Sequence, residues 1–589
     1  MLIPSRHLER FVREISDQCL ISLQDRTNRG VMFQNYAMCG AEDSNDAAIF
    51  NKTYAYLDDL ESLLYSPLSL RFHIGDPEIP NVIDEAKGKA ASARLRGMAR
   101  KSDTDTMVSA AVMAALVKGK ACIKQMFKRG EFAPELVQPE CMGVFRESHT
   151  KLDEDMEAFV HRTMITPYQF RRLIWNHPDK AQLEKKAKGY LRDQTGGMSD
   201  GSAQKQVIIG GLYPFQPAGS GSPNSTRGIV DWMASPKPDI DPKLQGQMLE
   251  LDELWVWDDK RQNWATFQII GSDMLIYGKY QITNAFSYNP ESQSDADCLK
   301  GHHPFNEFCV NPVDNYFWGR SEIANVALLQ EAINARINGI NKLLRKQEDP
   351  PTKFVGGTGV NQLALSRFNK PGGYWVDSSP NAKIDRDQPQ IPADLWGSMH
   401  EYERMFDEMG GLPPTARGHG EAGVRSQAHA ETLIRMFSPR FKDRALLVER
   451  QVAGLGGSML DLARAHVDRK LTAWVPEREA GAEKSVIDNK LMQPPAPGLV
   501  PVQFAFADLD EDVTLSVDSH SSSPAFSQEA NQQNLTLVKL GAMSPEDYVE
   551  HSDSPDPEEL TAGIQRRAHA AAEREQKVLA IKAQTHAKK

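Results

Sequence analysis

SEIANVALLQEAINARINGINKLLRKQ, residues 321–347, is the stretch on which the reading of the whole chain turns. Ile323, Val326, Leu329, Ile333, Ile337, Ile340, Leu343 and Leu344 recur every three or four positions, which places them along one side of an α-helix. The pattern predicts a single helix from Gly319 to Lys346, about 40 Å long at the standard rise. Its other side carries Asn325, Asn334, Asn338, Asn341 and Lys342. Asp349-Pro350-Pro351 stops it, because proline has no amide hydrogen to donate and crowds the residue before it.

Working outward toward the C-terminus, residues 349–392 are short and turn-rich, with Gly356-Gly357, Pro371-Gly372-Gly373 and Ser379-Pro380. Small strands are expected at Lys353–Val355 and Tyr374–Val376, and Phe354, Tyr374 and Trp375 are the aromatic groups this segment can expose. A second helix is predicted over 393–409, with the acidic residues Glu401, Glu403, Asp407 and Glu408. GGLPPTARGHGEAGV, 410–424, reads as a flexible loop. A very long third helix is predicted from Arg425 to about Lys470, with kinks at Pro439 and Gly454–Gly457. Strand-like sequence over 500–517 precedes a helical C-terminal part that ends in a basic, Ala-rich tail.

Working toward the N-terminus, helical spacing dominates from Leu8 to about Leu70 and again over 84–130, with an amphipathic run from Thr104 to Ala121. The period then changes. Val137–Phe145 and Met156–Met164 read as strands, and TPYQFRRLIW (166–175) as a short helix with Thr166 as N-cap and Pro167 in its first turn. LDELWVWDD (251–259) and WATFQIIG (264–271) predict a hairpin. Residues 189–248, rich in Gly, Ser, Pro and Asn, read as loop.

The chain has 589 residues, 40% hydrophobic and 25% charged, with a formal net charge of −11. That is a globular composition able to form a core, but it is unlike a protein that grips many phosphates. Six scattered cysteines without CxxC spacing read as free thiols of a reducing compartment. The opening MLIPSRHLERFVREI lacks the apolar centre of a signal peptide, and no apolar run is long enough to span a bilayer, so a cytoplasmic origin without membrane contact is expected.

Catalytic signatures fail on local context. Gly418-His419-Gly420-Glu421-Ala422-Gly423 has GxGxxG spacing, but Leu412-Pro413-Pro414 stands where a strand is required. There is no Walker A sequence and no HExxH. His302-His303 lacks further ligands at metal spacing and reads as a solvated loop pair. Asp508, Asp510, Glu511 and Asp512 lack the glycine of a calcium loop. Neither enzymatic activity nor any metal or cofactor is expected.

Three passages carry a family resemblance. VNPVDNYFWGRSEIANVALLQEAINARINGINKLL (310–344) has a Phe-x-Gly-x-Ser turn leading into the long helix. VQPECMGVFRE and FVHRTMITPYQFRRL supply strands followed by a Thr-Pro helix. SSSPAFSQEANQQNLTLVKLGAMSPEDY carries a Leu-Gly-x-x-Ser turn, Leu540 to Ser544. In this order, over about residues 10–565, the chain resembles the portal (head-to-tail connector) proteins of tailed bacteriophages.

The resemblance implies an α+β portal fold assembled as a ring, commonly of twelve subunits. It implies N-terminal helices and a strand-rich wing over 1–317, a descending stem helix over 318–348 and a clip over 349–392. An ascending stem helix over 393–409 and a tunnel loop over 410–424 follow, then a long wing helix with returning strands over 425–524 and a crown with basic tail over 525–589. The tunnel loop would place Gly410, Gly411, Arg417, His419, Gly420, Gly423 and Arg425 near passing double-stranded DNA. The stem would turn Asn334, Asn338, Asn341, Lys342, Glu401 and Glu408 toward the channel. The clip would offer Phe354, Tyr374 and Trp375 to the terminase. Major capsid, scaffolding and head-completion or tail adaptor proteins are the other partners implied, at a capsid vertex of a virion assembled in a bacterial cytoplasm. An acidic channel has a physical rationale, since it lets phosphates slide instead of stick. Two other readings remain open: a metal-dependent nucleic-acid enzyme of a mobile element, and a helical scaffold or adaptor.

Overall fold

The computed structural model describes residues 7–39, 50–65, 72–74, 85–128, 130–175, 179–187, 249–260, 262–270, 274–278, 302–348, 352–355, 383–386, 392–411, 427–467, 471–476, 499–509 and 515–517, with short pieces of 534–567. It is a mixed helix-and-sheet molecule, as the sequence predicts.

The N-terminal helices are α1 (Leu8–Cys19), α2 (Leu23–Cys39) and α3 (Lys52–Leu64); α4 (Glu85–Lys101) and α5 (Thr104–Lys118) follow after the short strand β1 (Phe72–Ile74). Helix α5 is not the amphipathic helix expected, because it is buried on more than one side. Val108, Ala111, Val112, Ala115 and Leu116 are all fully buried, and the alanines let α2, α3 and α4 approach it from different sides. The helix also ends sooner than its apolar pattern suggests. Gly119 caps it, and the chain turns at once into strand β2 (Ala121–Lys128), where helix was expected to about residue 130.

Two sheets form the strand-rich part. Strand β2 pairs with β3 (Glu131–Val137) and β9 (Phe305–Phe308). The second sheet runs β4-β5-β6-β7-β8 through Met142–Val144, Ala158–Ile165, Leu249–Asp258, Asn263–Ile270 and Met274–Gly278, all antiparallel. The β6–β7 hairpin is where the sequence puts it. The strand expected over 137–145 is instead split, because Pro139 opens a 3₁₀ turn between β3 and β4.

Strand alternation explains the packing. Phe159, Trp255, Trp257 and Trp264 point to one face and meet Phe305 of the smaller sheet. Ala158, Val160, Leu254 and Val256 point to the other, which α1 covers with Val12, Ile15 and Cys19. Strand β6 is therefore buried on both faces, and its run LWVW is continuously apolar. His303 sits inside this aromatic cluster, with its ring centroid 5.5 Å from that of Phe159 and 5.6 Å from that of Trp264. The expected solvated histidine pair is thus only half right: His302 is exposed, whereas burial lowers the His303 pKa.

The long helix of the opening stretch is α7 (Ile323–Glu348), α6 being Pro167–Leu173; α8 spans Ala393–Gly410 and α9 spans Gln427–His466. Helix α9 is continuous through Pro439 and through Gly454–Gly457, where kinks were expected. Packing accounts for Gly456: a Cβ there would lie 2.6 Å from the Leu515 side chain and 2.7 Å from the Phe72 ring. The glycine thus lets the two-stranded pair of β1 with β14 (Leu515–Val517) press against the helix. Strands β12 (Leu471–Pro476) and β13 (Leu499–Phe504) form a further antiparallel pair. No described helix is long and apolar enough to cross a membrane.

Candidate functional site

The site is built where α7 and α8 stand on the helical base. It begins with the Phe-x-Gly-x-Ser turn. Gly319 has φ of 64°, and a Cβ there would meet Cys309 Sγ at 2.6 Å, so the backbone can pass this point only as glycine. The turn then presents two donors to the end of α5. Ser321 Oγ donates to the Val117 carbonyl, and the Glu322 amide donates to the Leu116 carbonyl at 2.9 Å. These are carbonyls that a helix end leaves unpaired. The turn that starts the long helix therefore also caps the central core helix.

Glu322, 2% exposed, is the hub that follows. Arg444 of α9 pairs with it at 2.6 Å, Asn311 Nδ2 donates to it at 3.0 Å, and Tyr56 Oη lies 3.5 Å away. The same tyrosine hydroxyl donates to the Gly410 carbonyl at 3.0 Å, at the last residue of α8. One turn back on α8, Asp407 pairs with Lys52 Nζ at 2.8 Å, which also donates to the Glu403 carbonyl at 3.0 Å. Farther along, Arg336 of α7 lies 5.8 Å from the Tyr402 ring centroid. The end of α8 thus meets the start of α7, and the two helices run antiparallel side by side. At their far end β10 (Thr352–Val355) pairs antiparallel with β11 (Lys383–Arg386), a strand not foreseen.

The asparagine row on α7 divides. Asn334 was expected to face a channel, but it is 1% exposed. Its Oδ1 accepts from the Phe50 amide at 3.2 Å and from Gln330 Nε2 at 3.1 Å. Gln330 in turn accepts from the amides of Lys52 and Thr53 and donates to the Phe50 carbonyl. Both side chains satisfy the unpaired amides at the start of α3, so this correction has a plain cause in helix capping. Asn338 and Asn341 are half-buried, while Lys342 is exposed. Glu401 and Glu408 flank Arg404 on the outer face of α8, at 2.7 and 3.7 Å.

Gly410 is the closing residue of α8 and Gly411 its left-handed cap. Phe354 lies in β10, where it pairs with Ile384. Arg417, His419, Gly420, Gly423, Arg425, Tyr374 and Trp375 lie outside the described residues. The sequence reading missed Glu322, Arg444, Tyr56 and Lys52. The signal available for them was a Glu directly after a helix-opening Ser, which marks the position but not its partners.

Among the described residues one trio has metal-ligand proximity, His149, Asp153 and Asp155. His149 Nε2 is already bonded to Asp153 at 2.6 Å, and Asp153 caps the 3₁₀ turn Glu154–Met156. Those bonds give the trio a turn-forming role. The described cysteines Cys19, Cys122, Cys141 and Cys309 are free, and burial pushes their thiols up, to about 12 for Cys141 and about 11 for Cys309, which makes them inert. No protein-family model matches the chain, and no curated protein matches it.

Proposed function

We propose that the chain is the subunit of a bacteriophage portal, a ring through which double-stranded DNA enters and leaves a capsid. The observation that carries the proposal is the antiparallel pair α7–α8. It is closed at one end by a small strand pair, rooted at the other in buried charge, and followed in the chain by the 40-residue helix α9. Much of the pair's apolar surface is left exposed among the described residues. Leu328 is 78% exposed, Met409 53%, Trp396 45% and Met405 39%.

Charge divides in the same way. The far half of α7 carries Arg336, Lys342 and Arg345, whereas α8 carries Glu401, Glu403, Asp407 and Glu408. A copy placed beside another by rotation about an axis would set a basic α7 near an acidic α8, and repetition closes a ring. In that arrangement the segment between the helices is the clip and gathers at the narrow end, where it docks the terminase. The loop after Gly411 lines the bore, with Arg417 and Arg425 as the basic groups nearest the phosphates.

The test is oligomeric state. Light scattering is expected to give one closed species at micromolar concentration, and the double variant Leu328→Asp/Met405→Asp a folded monomer with unchanged circular dichroism. A monomeric parent protein at all concentrations would overturn the proposal.

A further inference from the structure

A second surface, far from the stem in sequence and independent of the ring reading, has a different chemistry. Helix α6 and the helical run at 180–187 pack by their inner faces on the five-stranded sheet. Phe170, Ile174, Leu183 and Ala187 are buried against Leu249, Leu251 and Ile270. The capping box of Thr166 with Gln169, at 3.2 and 2.8 Å, fixes where α6 begins. Helical periodicity then dictates what faces outward: Tyr168, Arg171 and Arg172 on α6, and Lys185 and Lys186 on the second run, all exposed, with the exposed Trp175 in the turn just past the end of α6.

This face departs from the rest of the chain in two ways. Within a molecule of net charge −11, residues 166–187 carry five cations (Lys180 is the fifth) against two carboxylates, Asp179 and Glu184. Neither Arg171, Arg172, Lys185 nor Lys186 forms an ion pair among the described residues. The face also exposes two large aromatic rings, Tyr168 at 78% and Trp175 at 69%. Trp175 stays that open although Lys180 Nζ lies 3.9 Å from its ring centroid. Such rings are costly to leave in water, and neither contributes to the apolar cluster that holds the helices down.

From this juxtaposition of exposed aromatic rings and cations on one face, we infer that Tyr168, Arg171, Arg172, Trp175, Lys185 and Lys186 form a binding surface for single-stranded nucleic acid. The cations neutralise backbone phosphates, and the rings stack unpaired bases. A duplex offers the phosphates but keeps its base faces covered, so the aromatic pair selects the single strand. An acidic polypeptide would use the cations and leave stacking unused.

The experiment uses the full chain and a fluorescein-labelled 20-nucleotide oligo-dT, followed by anisotropy from low to moderate salt. Binding is expected to weaken with salt. Reversing Arg171 and Arg172 to Glu is expected to lower the slope of log K on log salt by about 1.4, at roughly 0.7 per phosphate. Tyr168→Ala/Trp175→Ala should weaken binding at least tenfold with the fold intact by circular dichroism. Tyr168→Phe/Trp175→Phe, which keeps both rings, should restore it. Absence of binding at 50 mM salt would overturn the inference. So would unchanged affinity in the double-alanine variant, or equal dependence on the rings when polyglutamate or duplex DNA of the same length is the competitor.

Discussion

At the scale of single residues, charge buried where the start of α7 meets the end of α8 sets how firmly the two helices are held. Glu322 is fully enclosed, and Arg444 is its only cationic partner among the described residues. Removing one member of a buried pair leaves the other uncompensated, at a cost of about 3–5 kcal/mol. Arg444→Met is therefore expected to lower the thermal midpoint strongly, and Arg444→Met/Glu322→Leu to recover most of it. Equal loss in single and double variants would show that the pair does not act as a unit. Gly410→Ala is expected to destabilise too, because its Cβ would come within 2.8 Å of the Tyr56 ring and force apart the contact that ends α8. Both effects are read by calorimetry. None of these partners is visible in sequence. Glu322 and Arg444 lie 122 positions apart, and nothing local distinguishes a buried helical Arg from a surface one. Asn334 shows the same limit: on a polar helix stripe, an asparagine that caps a distant helix looks the same as one that faces water.

At the scale of elements, the sequence is most legible where a period is long and its ends are marked. Helix α7 ends at Glu348, close to its expected end at Lys346, although it begins at Ile323 and not at Gly319. Helix α8 agrees with its expected span to one residue, and Thr166 caps α6 as its type and the following Pro-x-Gln suggest. It is least legible where one period gives way to another across only two or three residues. Val117-Lys118-Gly119-Lys120-Ala121 carries the chain from a buried helix into a buried strand, and apolar residues continue on both sides. Strand β11, Lys-Ile-Asp-Arg, is too polar and short to declare itself, and it exists because β10 is there to pair with it.

The five-stranded sheet and the aromatic cluster beside it make a prediction about pH. Burial lowers the pKa of both His161 and His303, and His161 also feels the Lys124 ammonium, which is paired with Glu253 at 2.6 Å. A base with a lowered folded pKa binds fewer protons folded than unfolded, so stability is full above the unfolded value of about 6.5 and is lost as pH falls below it. Fluorescence of the Trp255, Trp257 and Trp264 cluster is expected to change cooperatively on acidification below about pH 6. His161→Leu should move that transition to lower pH. An unchanged transition in the variant would exclude His161 as its source.

At the scale of the whole molecule, the proposed role has an acidic chain handle DNA by enclosing it. The helical core, the two sheets and α9 form a base, and the stem pair carries the surfaces that one subunit leaves uncovered. Function should therefore be separable from folding. Replacing residues 349–392 with a short Gly-Ser link is expected to leave the base folded and to abolish terminase binding in a pull-down. Retained binding at unchanged affinity would remove the clip assignment. Changing Arg417 and Arg425 to Glu is expected to leave ring assembly intact and shorten the DNA retained per head, whereas heads holding full-length DNA would remove the loop from the bore.

Ring formation is tested most directly by negative-stain electron microscopy of the purified chain. A portal subunit is expected to give end-on views that are closed rings of one rotational symmetry with an axial hole. It is also expected to give side views with a narrow stem, and to lose both in Leu328→Asp/Met405→Asp. A field of single particles the size of one 65.7 kDa subunit, or open chains of varying length, would contradict it.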